Sequence, residues 1–343
     1  MRSLMLSVVV GLVLALAGPL QPVQAASPAG AHAAADLPSQ ADKATKKAKQ
    51  KAKQKAKATP QKKPAAKPRT KAASRKAERA PAAPFDPSAP ADPYPKAAAA
   101  YAVAVDDQLL YGRQLDTPRP PASLTKLLSA LVVLDHPWDA DAPVQISDHA
   151  AGMTGARIGL RRGDVVRAGD LLTGMIVRSG NDACMAMAEH IGGSEEGFVQ
   201  LMNQKAQAIG MTASTFRNPC GLDADGHLST ARDLLTLARV ADRQAEISWR
   251  ANAKQADFRV LNTKRRISFR NTNAMLGTEP QTVGMKTGFT NKAGKCLIAL
   301  AEHGAHKVWV VLLHSPNRWG TAKQMLARGA THVERPAAAL AHP

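Results

Sequence analysis

Apolar residues follow two different rhythms along this chain, and one long stretch has neither. Ala98–Val105 and Gln108–Arg113 are short, mostly apolar runs on either side of Asp106-Asp107, the pattern of two strands and a tight turn, and Pro118–Pro121 stops it. From Ser123 the apolar positions fall at helical spacing (Leu124, Leu127, Leu128, Leu131, Val132), predicting a helix that ends before His136-Pro137. Asp170 reads as the N-cap of a helix over Leu171–Val177, and Ser179-Gly180-Asn181 interrupts the helical pattern. A further helix over Asp182–His190 has its stop signal at Gly192-Gly193. Glu195–Ile209 is again helical, Asn218–Ser229 is a loop rich in Gly, Asp and Pro, and Thr230-Ala231-Arg232-Asp233 is a capping box that opens the next helix. Apolar strands follow at Thr282–Thr290, Lys295–Ala301 and Lys307–His314, with a last helix over about Arg318–Arg328. Two strands, a block of helices and three strands predict one sheet in which the first and last strands of the domain meet, with helices packed around it.

The stretch without rhythm precedes the domain. Residues 41–80 hold 16 Lys and Arg against 2 acids, whereas residues 81–343 hold 29 against 24, so the formal charge of +19 belongs mainly to a tail. Lys43–Lys57 alternates Lys with Ala or Gln, and Pro60, Pro64 and Pro68 follow; like charges repel and little apolar surface is available, so 27–93 is expected to be a disordered basic linker. Ahead of it, Arg2, the largely apolar Leu4–Ala17, the Gly18-Pro19 break and Val23-Gln24-Ala25 form a secretory leader over 1–26, too short for a comfortable membrane span of about 20 residues. These features predict an exported protein of the periplasm or cell envelope, soluble after leader cleavage, with a retained anchor as the alternative. The folded domain is expected over 94–331 and a flexible tail over 332–343.

Composition narrows the function. Aromatic residues make up only 4%, which argues against a base-stacking nucleic-acid platform. Cys184, Cys220 and Cys296 allow at most one disulfide, of unspecified pairing, and are expected chiefly as small buried side chains. No Cys/His spacing indicates zinc, and no cofactor is implied.

Three short motifs carry chemistry. Ser123-Leu124-Thr125-Lys126 places a hydroxyl and an amine three residues apart at a helix start, so both share one helical face. A lysine serves as a base only when neutral, which requires burial or a neighbouring cation to lower its pKa. Ser179-Gly180-Asn181, in the break between helices, offers a hydroxyl and an amide. Lys286-Thr287-Gly288 lies on a predicted strand, where Gly288 lets another backbone approach closely. Ser315-Pro316-Asn317 also matches the second pattern, but it follows the third motif and is set aside.

In this order the motifs resemble those of the penicillin-recognising serine peptidases. More narrowly the chain is similar to the D-alanyl-D-alanine carboxypeptidases among low-molecular-mass penicillin-binding proteins. The strings ASLTKLLSA, RSGNDACMAMAEHIGGSEE, FRNPCGLDADGHLSTARDL and KTGFTNKAGKCL carry the likeness, which spans Ala97–Met325. It implies an α+β fold of the β-lactamase/D,D-peptidase type, with an antiparallel sheet and a central helical block. It also implies Ser123 as nucleophile, Lys126 as general base and Ser179 as proton relay. Asn181 would hold the substrate amide, Lys286 would supply positive potential, and Thr287, Gly288 and Thr290 would line the substrate. The backbone N–H groups of Ser123 and Phe289 would form the oxyanion hole, and Arg318 would meet the substrate carboxylate. The implied partners are peptidoglycan stem peptides and, as covalent inhibitors, β-lactams. No Glu-x-x-x-Asn occurs between Asn181 and Lys286, so a penicillin acyl-enzyme is expected to persist rather than hydrolyse.

Two alternatives stand beside D-Ala-D-Ala carboxypeptidase. Many family carboxypeptidases continue into a β-rich domain and an amphipathic anchor, and the roughly 55 residues after Lys286-Thr287-Gly288 have room for neither. In this respect, and in SFRNTNAML at Ser268–Leu276, the chain is similar to the D,D-endopeptidases that cut existing cross-links. The remoter alternative is a non-catalytic cell-wall adaptor. The basic linker, with a random-coil reach of about 45 Å, suits contact with anionic polymers or a membrane surface, or plain spacing and solubility, and no specific nucleic acid is implied.

Overall fold

The structure, a computed structural model, describes residues 92–279 and 281–334. The expected leader, nearly all of the basic linker and most of the expected tail lie outside these residues. The first segment is β1 (Ala100–Val105), which turns at Asp106-Asp107 into β2 (Gln108–Arg113). A single 3-10 turn (Ala122–Thr125) leads directly into α1 (Lys126–Asp135). Then come β3 (Pro143–Gln145), α2 (Asp148–Gly152), β4 (Val165–Arg167), α3 (Ala168–Val177), α4 (Asn181–Gly192) and α5 (Glu195–Ala208). After a loop, α6 (Ala231–Asp242) and α7 (Ala245–Asn252) precede the hairpin of β5 (Gln255–Arg259) and β6 (Arg266–Arg270). The chain closes with β7 (Thr282–Thr290), β8 (Gly294–His303), β9 (His306–Leu313) and α8 (Arg318–Glu334).

The main sheet has the order β2-β1-β9-β8-β7 with every pair antiparallel, so strands from the two ends of the domain meet at β1 and β9. Its two faces follow from the period of two along each strand. Ala100, Ala102 and Ala104 of β1 join Ile298, Leu300, Trp309 and Val311 in the core shared with the helical block. Tyr101, Val103 and Val105 join Leu297, Ala299, Val310 and Leu312 against Ala322, Met325 and Leu326 of α8. With both faces covered, β1 and most of β9 read as continuous apolar runs instead of alternating ones. β7 is left at one edge of the sheet, with the 3-10 turn ahead of α1 packed against it.

Several expectations need correction. Asp170 is not an N-cap: α3 begins two residues earlier, with Arg167 at the N-cap, and Asp170 sits in the first turn. Thr230 caps α6 by accepting from the Asp233 N–H, but the Asp233 carboxylate accepts from Ala213 N–H and the Ser214 hydroxyl, so this side chain works on the preceding loop. Structure begins earlier than Tyr94, since Asp92 accepts hydrogen bonds from Tyr94 N–H, the Tyr101 hydroxyl and Arg113. α8 runs on to Glu334, past the expected end of the domain. Cys184 and Cys220 are disulfide-bonded, with Cα atoms 5.9 Å apart, while Cys296 is a free, buried thiol.

Candidate active site

Ser123 sits inside the 3-10 turn that precedes α1, and Lys126 is the first residue of that helix. The turn is strained: buried Ala122 has φ +50°, and the Thr125 hydroxyl donates to its carbonyl at 2.8 Å. Such backbone costs about 1–3 kcal/mol and persists only where surrounding contacts hold it. Two glycines supply those contacts. Gly288 on β7 lies so close that a Cβ there would stand 3.0 Å from Ala122 Cβ and 3.1 Å from Ser123 N. Gly221, with φ +79°, comes closer still, and a Cβ on it would stand 2.9 Å from Ser123 N.

Lys126 is completely buried (0% exposed) yet has no acidic partner among the described residues. Its Nζ lies 3.1 Å from Ser123 Oγ, 2.7 Å from Asn181 Oδ1 and 2.6 Å from the carbonyl oxygen of Cys220. Burial first, and the charge of Lys286 second, hold its pKa well below the ordinary 10.5, with Asp182 acting in the opposite direction. A neutral amine has two N–H donors and one lone pair, and these three neighbours suit it. In that neutral form Asn181 and Cys220 would accept the two N–H bonds, leaving the lone pair for the Ser123 hydroxyl; in the charged form Lys126 donates to all three. Lys286 is also buried. Desolvation, followed by the nearby Arg318 guanidinium, lowers its pKa to about 7, and its Nζ donates to the Thr287 carbonyl at 3.1 Å.

Ser179 is buried with φ +63°, and Asn181 opens α4 two residues later, after Gly180 at the N-cap. The Ser179 hydroxyl is not among the hydrogen-bond partners of Lys126. Asn181 is engaged at both ends of its amide, since Nδ2 donates to the Thr154 carbonyl at 2.6 Å while Oδ1 faces Lys126. The Thr287 hydroxyl is 2.7 Å from that of Thr272. The Thr290 hydroxyl donates to Asp223 of another loop at 2.6 Å and accepts from Ala293 N–H in its own turn, so it is occupied on both sides. Arg318 ties β7 to β8 by donating to the carbonyls of Gly288 (2.8 Å) and Cys296 (3.3 Å). Phe289, beside Gly288, projects into solvent and is 60% exposed.

Sequence reading missed four contributors. Cys220 serves through its backbone carbonyl and Gly221 through having no side chain, so neither announces itself by residue type. Asp182, fully buried, accepts from the N–H groups of Ile158, Gly159, Leu160 and Ala183 and so ties the 154–160 segment to the start of α4. Its place directly after Asn181, in the first turn of a helix, was the available signal. Thr272 supports Thr287. His227, by contrast, is a structural residue. Its Nδ1 accepts from Arg217 N–H, so Nε2–H donates to Thr125 Oγ1 at 2.9 Å, and burial lowers its pKa to about 4. Among the described residues no cluster of three or more His, Cys, Asp or Glu side chains forms, and no helix is long and apolar enough to cross a membrane.

A serine and a buried lysine without an acidic partner at the start of a helix, covered by an edge strand carrying Lys-Thr-Gly, define the layout of the β-lactamase-like serine peptidases. The match is specific: the peptidase S11 model, D-alanyl-D-alanine carboxypeptidase, covers residues 87–317, and this chain belongs to that family. It is 35% identical over 201 residues to the D-alanyl-D-alanine carboxypeptidase DacF of Bacillus subtilis, covering 57% of this chain and 51% of that protein. A D-alanyl-D-alanine endopeptidase of Pseudomonas aeruginosa is 37% identical over 212 residues, covering 60% and 67% respectively. The crystal structure of the Streptomyces K15 DD-transpeptidase superposes with a TM-score of 0.64 at 27% identity, covering 68% of this chain and 97% of that one. Aligned residues span about half the length of the curated carboxypeptidases DacF and DacC.

Proposed function

We propose that this protein is a serine D,D-peptidase that releases the terminal D-alanine of peptidoglycan stem peptides through an acyl-enzyme on Ser123. The carrying observation is the buried, acid-free Lys126 with its Nζ 3.1 Å from Ser123 Oγ. Ser123 attacks the D-Ala-D-Ala carbonyl as Lys126 takes its proton. The oxyanion is met by the N–H groups of Ser123 and Phe289, worth about 3 kcal/mol per donor. The leaving amine is protonated from Lys126, with Ser179 as relay, and water releases the shortened peptide. Lys286 and Arg318 keep the site positive for the substrate carboxylate, and Thr287 with Gly288 lines the strand on which the peptide lies. Asn181 acts first by positioning Lys126. Thr290, already occupied by Asp223, reaches substrate only by exchanging that partner.

The second reading, D,D-endopeptidase, draws support from the similarity to the Pseudomonas aeruginosa enzyme. One experiment separates the two: the protein and its Ser123→Ala variant are incubated with a pentapeptide muropeptide and with a cross-linked dimer, and products are resolved by mass spectrometry. Loss of one D-alanine, abolished in the variant, is expected. Dimer cleavage with the pentapeptide intact moves the activity to endopeptidase. If neither substrate changes, the peptidase reading fails and the adaptor takes its place. Penicillin is expected to form a persistent Ser123 adduct. The leader pattern of residues 1–26 supports a place in the cell envelope, and the charge of the basic linker supports attraction to anionic polymers or lipid surfaces. Deleting 27–80 is expected to leave turnover of soluble peptides intact.

A further inference from the structure

A polar cavity of about 370 Å³ lies at the open end of the β5–β6 hairpin, lined by Lys254, Gln255, Arg270, Asn271, Asn273 and Leu276. Five of its six lining residues are polar and two are cationic. Two other arginines of this hairpin have acidic partners, in the pairs Arg265–Asp164 and Arg266–Asp257. Among the described residues Lys254 and Arg270 have none. Strand register brings them together, since Gln255 lies opposite Arg270 and Asn271 N–H donates to the Lys254 carbonyl at 2.9 Å. Both residues line the one cavity, and an anion held there would offset their charge.

The walls are built in advance. Asn271 Nδ2 donates to the carbonyls of Ala251 (3.1 Å) and Ala253 (2.9 Å), which fixes that side of the cavity. Gly277, at φ +80°, lets the Lys254 head lie across its backbone, and a Cβ there would stand 2.9 Å from Lys254 Nζ. Asn273 is 4% exposed; its Oδ1 accepts from Met275 N–H, but its Nδ2 has no partner. An orphaned buried donor costs about 1–3 kcal/mol. A site with two cationic heads and a free amide donor suits a planar carboxylate, which accepts several charge-assisted bonds at once. The cavity also adjoins the candidate active site. Thr272, between Asn271 and Asn273, meets the Thr287 hydroxyl at 2.7 Å and donates its N–H to the Val177 carbonyl.

We infer that this cavity is a carboxylate subsite that receives a free acidic group of the same peptide whose D-alanine end lies at Ser123, so the protein selects acidic stem peptides over amidated ones. The inference rests on the peptidase reading above, and its test must separate the two. Two peptides ending in D-Ala-D-Ala, identical except for a free carboxylate or a carboxamide on one side chain, compete with a fluorescent penicillin for acylation of the intact protein. Competition reports binding whether the product is that of a carboxypeptidase or an endopeptidase. The carboxylate peptide is expected to protect at about tenfold lower concentration, as two partly exposed charge contacts would give. In the variant carrying Lys254→Gln and Arg270→Gln that ratio should fall to near one, with acylation in the absence of peptide unchanged. Equal protection in the unaltered protein, or a tenfold preference that survives in the double variant, overturns the inference. So does a phosphodiester polymer that competes only when Lys254 and Arg270 are present, combined with no preference between the peptides. If neither peptide protects while penicillin still acylates Ser123, it is the peptide-substrate reading that has failed, and the subsite falls with it.

Discussion

Gly221→Ala isolates the part of the site that no motif names. A Cβ at this position would overlap the Ala122 carbonyl oxygen outright and stand 2.9 Å from Ser123 N, where ordinary contact begins at 3.4 Å. The loop and the 3-10 turn must therefore part by about 1 Å, a displacement that can cost about a hundredfold when it falls on reacting groups. The left-handed backbone at φ +79° adds about 1–2 kcal/mol of strain for any residue with a side chain. In a domain of this size that lowers Tm by only about 2–8 °C, so the variant should remain folded. Gly210→Ala is the control: its φ is +86°, but a Cβ there has nothing within 4 Å. Both variants are expected to lose thermal stability through backbone strain, Gly221→Ala the more because its Cβ also meets the Ala122 carbonyl oxygen. Only Gly221→Ala should slow acylation by fluorescent penicillin, by about a hundredfold, because only its side chain pushes on Ser123 and on the carbonyl that holds Lys126. Equal acylation rates in the two variants would refute the claim that this loop fixes the nucleophile.

The two buried lysines make stability depend on pH with a definite sign. Lys286 titrates at about 7 in the fold and near 10.5 when unfolded, so the unfolded chain binds more protons between these values and stability rises with pH there. Melting curves from pH 7 to 9 should therefore rise more steeply for the native protein than for Lys286→Met. The same substitution removes the second cause of the depressed Lys126 pKa, so the acid limb of its acylation profile should move to higher pH, and an unmoved limb would count against the coupling. Replacing Cys184 and Cys220 together by Ser opens a link between residues 36 apart in sequence. This is expected to cost about 2–4 kcal/mol in denaturant unfolding, and a loss within error of zero would show that packing alone holds the loop.

Legibility in the sequence followed residue chemistry. β1, β8 and β9 could be read because their side chains face two apolar layers, which leaves long hydrophobic runs. The β5–β6 hairpin was missed because its outward face carries Arg259, Arg266 and Arg270, and only Phe258, Ile267 and Phe269 turn inward, too few to stand out from loop. α7, with Trp249 exposed and Arg250 buried against Thr173, inverts the expected polarity of its positions. At the site, Ser123, Lys126, Asn181 and Lys286 were legible because they act through side chains at fixed spacing. The Cys220 carbonyl, the Gly221 approach and the reach of Asp182 back to 158–160 depend on where the backbone passes, which residue identity does not encode. Thr290 was read from its place near the motif, whereas its hydroxyl is held by Asp223 from another loop.

The Cys184–Cys220 bond also sets an order of events in the life of the molecule. One cysteine follows Asn181 by three residues on α4, and the other supplies the carbonyl that holds Lys126, so a single covalent link clamps two of the base's three contacts. A newly made chain in a reducing space lacks that link, because disulfides form and persist only where thiols are oxidised. It can gather its core and sheet there, yet the base keeps a looser grip. The clamp closes only when two electrons leave the thiol pair, so the shape of the domain comes first and the geometry around Lys126 second.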